Sequence, residues 1–299
     1  MGERALFLRR SWPGLMLLAW PLAGLADTYV LAIGDQAVEQ TNSGVGWYET
    51  ARAAAGSAQG VGKISVRAVA FTEPTDGYPV AYRTARAEAV TAYTDSLTFS
   101  GAGIAPGTLA TVVFGLRFDY AGLAVFTGGG PGVINQDGGA LWSMRQTLGG
   151  NQFSAGCSWN TSANGPSVWD CSGFDPTGPS PEKVSARPSF TATVVFGQPL
   201  NLDFYATAQA SMTVYAQAVG YYASGDLSLD LGNSFYWDGI DAVTVDGLPV
   251  DFTVTSASGT DYAASLAPVP EPGTALLWAG GLAGLLAERR RRAASGGMG

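Results

Sequence analysis

Along most of the chain, apolar and polar side chains alternate residue by residue. Val112, Phe114, Leu116, Phe118 and Tyr120 share one parity, while Thr111, Arg117 and Asp119 take the other. Leu200, Leu202, Phe204 and Ala206 alternate with Asn201, Asp203 and Thr207, and Leu227, Leu229 and Leu231 with Asp226, Ser228 and Asp230. Phe252 and Val254 stand against Thr253 and Thr255 in the same way. Successive side chains of an extended strand point to opposite faces, so a period of two predicts half-buried strands. Turn formers separate the runs: Gly101-Ala102-Gly103, Pro106-Gly107, Gly197-Gln198-Pro199 and Ser224-Gly225-Asp226. Asp246-Gly247 predicts a two-residue hairpin, because both residues tolerate the positive φ of a type I′ turn. Strands recurring about every 10 to 15 residues predict an all-β domain over residues 27–267, a single antiparallel β-sandwich or jelly roll.

Three stretches read less simply. Ala51 to Ala58 is compatible with a short helix. Arg83 to Ala92 is rich in Ala, yet Ala85, Ala87 and Ala89 alternate with larger residues and favour a strand. Between 127 and 188, Gly128-Gly129-Gly130-Pro131-Gly132 and Pro176-Thr177-Gly178-Pro179-Ser180-Pro181 predict an irregular loop region within the domain.

The two ends follow other rules. Arg4, Arg9 and Arg10, the short apolar run Trp12 to Ala23 and the small residues Gly24-Leu25-Ala26 predict a secretory signal peptide over 1–26, cut by signal peptidase before Asp27. Pro13 and Pro21 interrupt the run, which disfavours an uncleaved anchor. Ser11-Trp12-Pro13 after the arginine pair favours the general secretory route over twin-arginine export. At the other end, Pro268-Val269-Pro270-Glu271-Pro272-Gly273 forbids a helix before Gly273. An apolar run, Thr274 to Ala287, then predicts a single transmembrane helix of about 21 Å at 1.5 Å per residue. Snorkelling and local thinning close the gap to a ~30 Å hydrocarbon core. Arg289, Arg290, Arg291 and Arg292 place the 293–299 tail in the cytoplasm and the main domain outside. The Gly280–Gly284 spacing is that of a helix-dimer face, and equally that of a tail rich in Gly and Ala.

Val269, Pro270, Glu271 and Pro272, the apolar run and the arginine cluster, in that order, resemble the PEP-CTERM sorting signal of Gram-negative bacteria, over 268–292. The resemblance implies processing by exosortase, a membrane cysteine protease. It also implies a membrane-anchored intermediate, delivery to the cell surface or extracellular matrix, and association with exopolysaccharide and biofilm. The same tail is also known as an ice-binding protein C-terminal domain. No fixed-period Thr array appears, which argues against ice binding. Phe252 to Tyr262 is similar to the last strand of many PEP-CTERM proteins; it implies a β-sandwich and transfers no site residues.

Composition narrows the chemistry. Charged residues are only 13% of the chain and there is no histidine. A histidine-based triad and histidine metal ligands are thereby excluded. Outside the two ends, 9 basic residues face 21 acidic ones, a net −12, which argues against nucleic acid as a partner. Cys157 and Cys171 are the only cysteines, and in an exported chain they predict one disulfide. Lys63 and Lys183, the only lysines, stand in no Ser-x-x-Lys arrangement. Glu73 with Asp76, or Glu88 with Asp95, are carboxylate pairs of the kind glycoside hydrolysis needs. Asp226, Asp230 and Asn233, or Asp238 and Asp241, supply oxygen ligands for calcium without an EF-hand loop; the plainer reading is solvated acids at strand ends, with no metal and no cofactor. Asn160-Thr161-Ser162 matches a glycosylation sequon of a kind uncommonly used in such bacteria. Trp142, Trp159 and Trp169, with Phe153, cluster among amides and hydroxyls; they are candidate glycan-stacking rings, or else a small core over the disulfide. The expectation is a non-enzymatic surface or matrix protein that holds exopolysaccharide, the alternative a secreted carbohydrate-active enzyme with paired carboxylates.

Overall fold

In the computed structural model of the chain the alternating runs become fifteen strands, with no helix among the described residues. Those residues are 27–75, 81–129, 134–173 and 183–266. The chain divides into two units, Met1–Leu266 and Ala267–Gly299, and every described residue belongs to the first. The signal-peptide segment 1–26, the motif Val269 to Pro272, the predicted span 274–287 and Arg289 to Arg292 lie outside the described residues. Among the described residues no helix is long and apolar enough to cross a membrane.

In chain order the strands are β1 (Asp27–Ile33), β2 (Gln36–Gly44), β3 (Trp47–Ala58), β4 (Val61–Thr72), β5 (Ala81–Ser100), β6 (Leu109–Gly129), β7 (Ile134–Leu148) and β8 (Asn151–Ser162). They continue with β9 (Gly165–Ser172), β10 (Lys183–Ala186), β11 (Ser189–Val195), β12 (Pro199–Ala216), β13 (Tyr222–Val245), β14 (Leu248–Pro249) and β15 (Thr253–Ser256). One sheet has the order β1-β5-β12-β7-β8-β9, with β15 also on β5. The second has the order β10-β6-β13-β4-β3-β2, with β11 on β6 and β14 on β13. All pairings are antiparallel except β1 with β5. Asp246 (φ 51°) and Gly247 (φ 79°) both adopt the left-handed region between β13 and β14, as the Asp-Gly hairpin requires.

The sheets pack face to face through two kinds of core. In one part alanines meet alanines: Ala51 and Ala53 of β3, Ala68 and Ala70 of β4, Ala85, Ala87 and Ala89 of β5, and Ala206 to Ala210 at alternate positions of β12 are all buried. With only a methyl group on each side, Cα atoms of β3 and β5, and of β4 and β12, come within 8 Å. Sheets packed through larger side chains stand about 10 Å apart. Elsewhere rings fill the gap: Tyr93 stacks on Phe204 at 4.8 Å, Phe204 meets Phe235 at 5.5 Å, and Phe118 meets Trp142 edge-on at 5.2 Å. β1 is fastened across the sandwich by Thr28, whose hydroxyl donates to buried Glu49 of β3 at 2.8 Å and accepts from the Asn42 amide at 2.9 Å.

Two local expectations are corrected. Residues 51–58 form part of β3, not a helix: Ala51, Ala53 and Ala55 are buried on one face, and cross-strand pairing with β2 and β4 outweighs the helical preference of alanine. The region 127–188 is largely regular, since β7, β8, β9 and β10 lie within it. Its alternation is obscured because Gly139 and Ser143 break the outward set and Leu141 faces out, while Ala140, Trp142, Met144 and Leu148 point inward. Arg83 to Ala92 lies within β5, a strand as expected.

Candidate functional site

The hairpin of β8 and β9 sets Cys157 directly opposite Cys171, and the two are joined in a disulfide. The Tyr120 hydroxyl of β6 lies 3.6 Å from Cys157 Sγ, and burial pushes its pKa up to about 12. Positions 142, 157, 159, 169 and 171 share the inward parity, so the tryptophans enter the core. Trp142 and Trp159 are each 2% exposed. Trp159 stacks on Trp169 at 4.7 Å with planes 8° apart, and Trp169 continues onto Tyr120 at 5.7 Å. This corrects the glycan-stacking reading of the three rings: buried Trp142 and Trp159 offer no face to a sugar, and Trp169 spends its face on Trp159 and Tyr120.

Three of the four acids singled out for calcium, Asp226, Asp238 and Asp241, are held by arginines. Asp226 accepts two bonds from Arg67, at 2.9 and 2.6 Å. Asp238 pairs with Arg187 and accepts from Ser265, and Asp241 accepts from Arg187 at 3.1 Å. Asp230 stands on β13 beyond Asp226, and the side chain of Asn233 is outside the described residues. Among the described residues no group of three or more metal-ligating side chains converges. Glu88 and Asp95 sit seven residues apart on β5, about 23 Å at 3.3 Å per residue, too far for the paired-carboxylate chemistry. Asp76 lies outside the described residues.

Asp95 instead locks the end of the domain. Its carboxylate accepts from the Ser96 amide at 2.8 Å and the Ser258 amide at 3.2 Å, and from the Ser258 hydroxyl. Burial pushes its pKa up, but hydrogen bonds from Ser258, Ser96 and Tyr262 outweigh it and hold the carboxyl below its usual value. The unfolded chain then binds the proton more readily, so this stabilisation is complete above the ordinary Asp value near ~3.9 and is lost as pH falls through the lower folded value. Asp95→Asn is expected to flatten the acid limb of the stability curve, read as the urea midpoint from about pH 6 down to about pH 2. A limb as steep as in the parent protein would refute it.

The outward face of the β1-β5-β12-β7-β8 sheet carries a different assembly. Register places Tyr29, Arg86, Ser211, Gly139 and Asn160 in one row across five strands. The next row is Leu31, Glu88, Gln209, Leu141 and Ser158. At about 4.8 Å per strand, each row spans about 19 Å. Between them lies a groove of ≈ 390 Å³. Its floor is low because Gly139, Ser158 and Ser211 are small. At the β1 end stands Tyr29, 41% exposed, whose hydroxyl donates to Glu88 Oε2 at 2.9 Å. Burial, then that bond and the Glu88 charge, raise the Tyr29 pKa to about 12, so the phenol stays protonated and the ring pinned at neutral pH. A second depression of ≈ 340 Å³, lined by Ser143, Arg145, Ser154 and Tyr205, lies on the same face, about four residues or ~13 Å further along the strands. Ser143 and Thr207 share a hydrogen bond at 3.0 Å beside it, and the Arg145 guanidinium lies 5.9 Å from the Tyr205 ring centre.

Sequence reading passed over every one of these groove residues except Glu88 and Asn160, which it had weighed for other chemistry. The available signal was parity: Tyr29, Glu88, Tyr205, Gln209 and Asn160 all fall on the outward face of their strands. What parity does not carry is which strands are neighbours.

Taken with its groove, the fold defines a disulfide-closed, two-sheet β protein whose outward groove is lined by amides and hydroxyls. No family model, no curated protein and no solved structure matches this chain.

Proposed function

We propose that this chain is an exported, exosortase-sorted protein of a Gram-negative cell surface or extracellular matrix, whose β-sandwich holds exopolysaccharide without catalysing its turnover. The observation that carries the reading is the order of parts along the chain: the Arg-flanked apolar run ending at Gly24-Leu25-Ala26, the β domain, then Val269-Pro270-Glu271-Pro272, the apolar run 274–287 and Arg289 to Arg292. A sorting protease needs its substrate extended at the membrane face, and the proline break supplies that, since each ring removes a donor and restricts its predecessor. The apolar run halts translocation, and the arginines, at ~2.5 to 3.5 kcal/mol each to bury at the bilayer centre, hold the end in the cytoplasm.

Mass spectrometry of the protein recovered from the surface fraction of its host tests this. The expected C-terminal peptide ends near Pro270 to Gly273. Deleting 274–292 is expected to turn the protein into an unsorted soluble species. An intact tail on every molecule, in a host with a working exosortase, would reduce the segment to a plain membrane anchor.

A further inference from the structure

We infer that the groove over β1, β5, β12, β7 and β8 is the polysaccharide-binding site, and that its ligand is a neutral polysaccharide laid across the strands. This rests on the proposed function for the kind of ligand, but its location and neutrality come from the groove itself. Sugars present C–H faces, which pack on exposed rings, and hydroxyls, which bond to planar amides and carboxylates. Tyr29 offers such a ring at one end of the row, and its bond to Glu88 fixes it before any ligand arrives, so little side-chain freedom remains to be lost. Gln209 and Asn160 reach the groove from strands β12 and β8, with Ser211 and Ser158 as hydroxyl partners. Tyr205, also 41% exposed, repeats the arrangement in the second depression, so the track continues diagonally across the face.

Charge selects the neutral class. Arg86 and Glu88 share the first depression and Arg145 lines the second; Asp170 of β9 stands beside Ser158 in register, and Asp137 of β7 and Asp203 of β12 are exposed on the same face. Two cations against four anions leave no positive excess to hold an acidic polymer. A protein partner is disfavoured, because protein interfaces are centred on clustered large rings and apolar anchors, whereas the middle of this groove has one exposed large apolar side chain, Leu141, among Gly139, Ser158, Gln209 and Ser211.

The test is affinity electrophoresis of the oxidised, exported protein in gels holding dextran, galactomannan, alginate or the host's own extracellular polysaccharide. Retention is expected in a neutral gel or with the host polymer, and no greater in alginate. Tyr29→Ala is expected to weaken it about tenfold or more, by analogy with the stacking of a base on an aromatic ring. Gly139→Phe is expected to do the same by blocking the floor. A Cβ there would meet only Asn160 Oδ1 at 3.4 Å and Trp159 O at 3.8 Å, so this variant takes nothing from the core and keeps the test open if Tyr29→Ala folds poorly. Leu123→Ala, on the exposed face of the other sheet, is expected to bind as the parent does. Retention of the parent with equal retention of both groove variants would overturn this site while leaving polysaccharide holding intact. Retention in alginate alone would overturn the neutral ligand. No retention in any gel, the host polymer included, would overturn the proposed function itself.

Discussion

Replacing Trp237 with alanine is expected to destabilise the domain by about 3 to 5 kcal/mol, the range for truncating a buried aromatic ring. Trp237 is fully buried, meets Phe114 edge-on at 5.0 Å and lies perpendicular to Tyr262 at 5.3 Å. It also ties three parts of the chain together. Its backbone N–H donates to Gly60 O at 2.9 Å, its carbonyl accepts from Leu266, and its indole N–H donates to Tyr262 O at 2.7 Å. Gly60 fits because it adopts φ 76° and because a Cβ there would fall 2.1 Å from Leu266 Cδ1. Truncation therefore opens a cavity and also frees the 262–266 segment from the sheet. Trp237→Phe separates the two effects: it keeps most of the ring but strands the Tyr262 carbonyl, a loss of about 1 to 3 kcal/mol. Urea midpoints of the three proteins decide it. A Trp237→Ala midpoint close to that of the parent would mean that the 262–266 segment is held by something other than this ring.

Reducing the Cys157–Cys171 bridge is expected to cost about 3 kcal/mol by the chain-entropy estimate for a loop of this size; the separation is 14 residues. Among the described residues β9 is an edge strand that pairs with β8 alone. Reduction should therefore loosen β9 first, and with it the Trp169 ring stacked between Trp159 and Tyr120. Hydrogen exchange at residues 165–172 is expected to rise on adding reductant, while β5 and β12 at the middle of the sheet stay protected. Equal urea midpoints with and without reductant would show that the strand ladder alone suffices.

Much of the fold is legible in the chain because a strand writes its two faces into alternate residues. The sets that run from Val112, Leu200 and Leu227 point inward as their parity requires, all buried except Leu200, which is half-buried at the start of β12. Asp246-Gly247 turns where its backbone freedom allows, and Cys157 had only Cys171 to pair with. Legibility failed where composition masked parity. Ala51 to Ala58 carries little apolar contrast, since alanine serves both helix and strand. In β7 and β8 the many Gly, Ser and Asn residues, with Leu141 facing out among them, make the segment read as loop, and the inward tryptophans then look like rings left free for a ligand.

The chain by itself thus determined the class of structure, the inward set of side chains, the turns and the covalent link, all of which depend on residues near one another in sequence or on a choice of one. Only the tertiary structure decided the candidate site. Tyr29 is pinned by Glu88, and Glu88 stands beside Gln209, through the pairing of β1, β5 and β12. Local preference does not encode strand order, because every half-buried strand offers neighbours the same backbone donors and acceptors. The order is settled by how both faces of all the strands are buried together, and the groove exists only once that order is set.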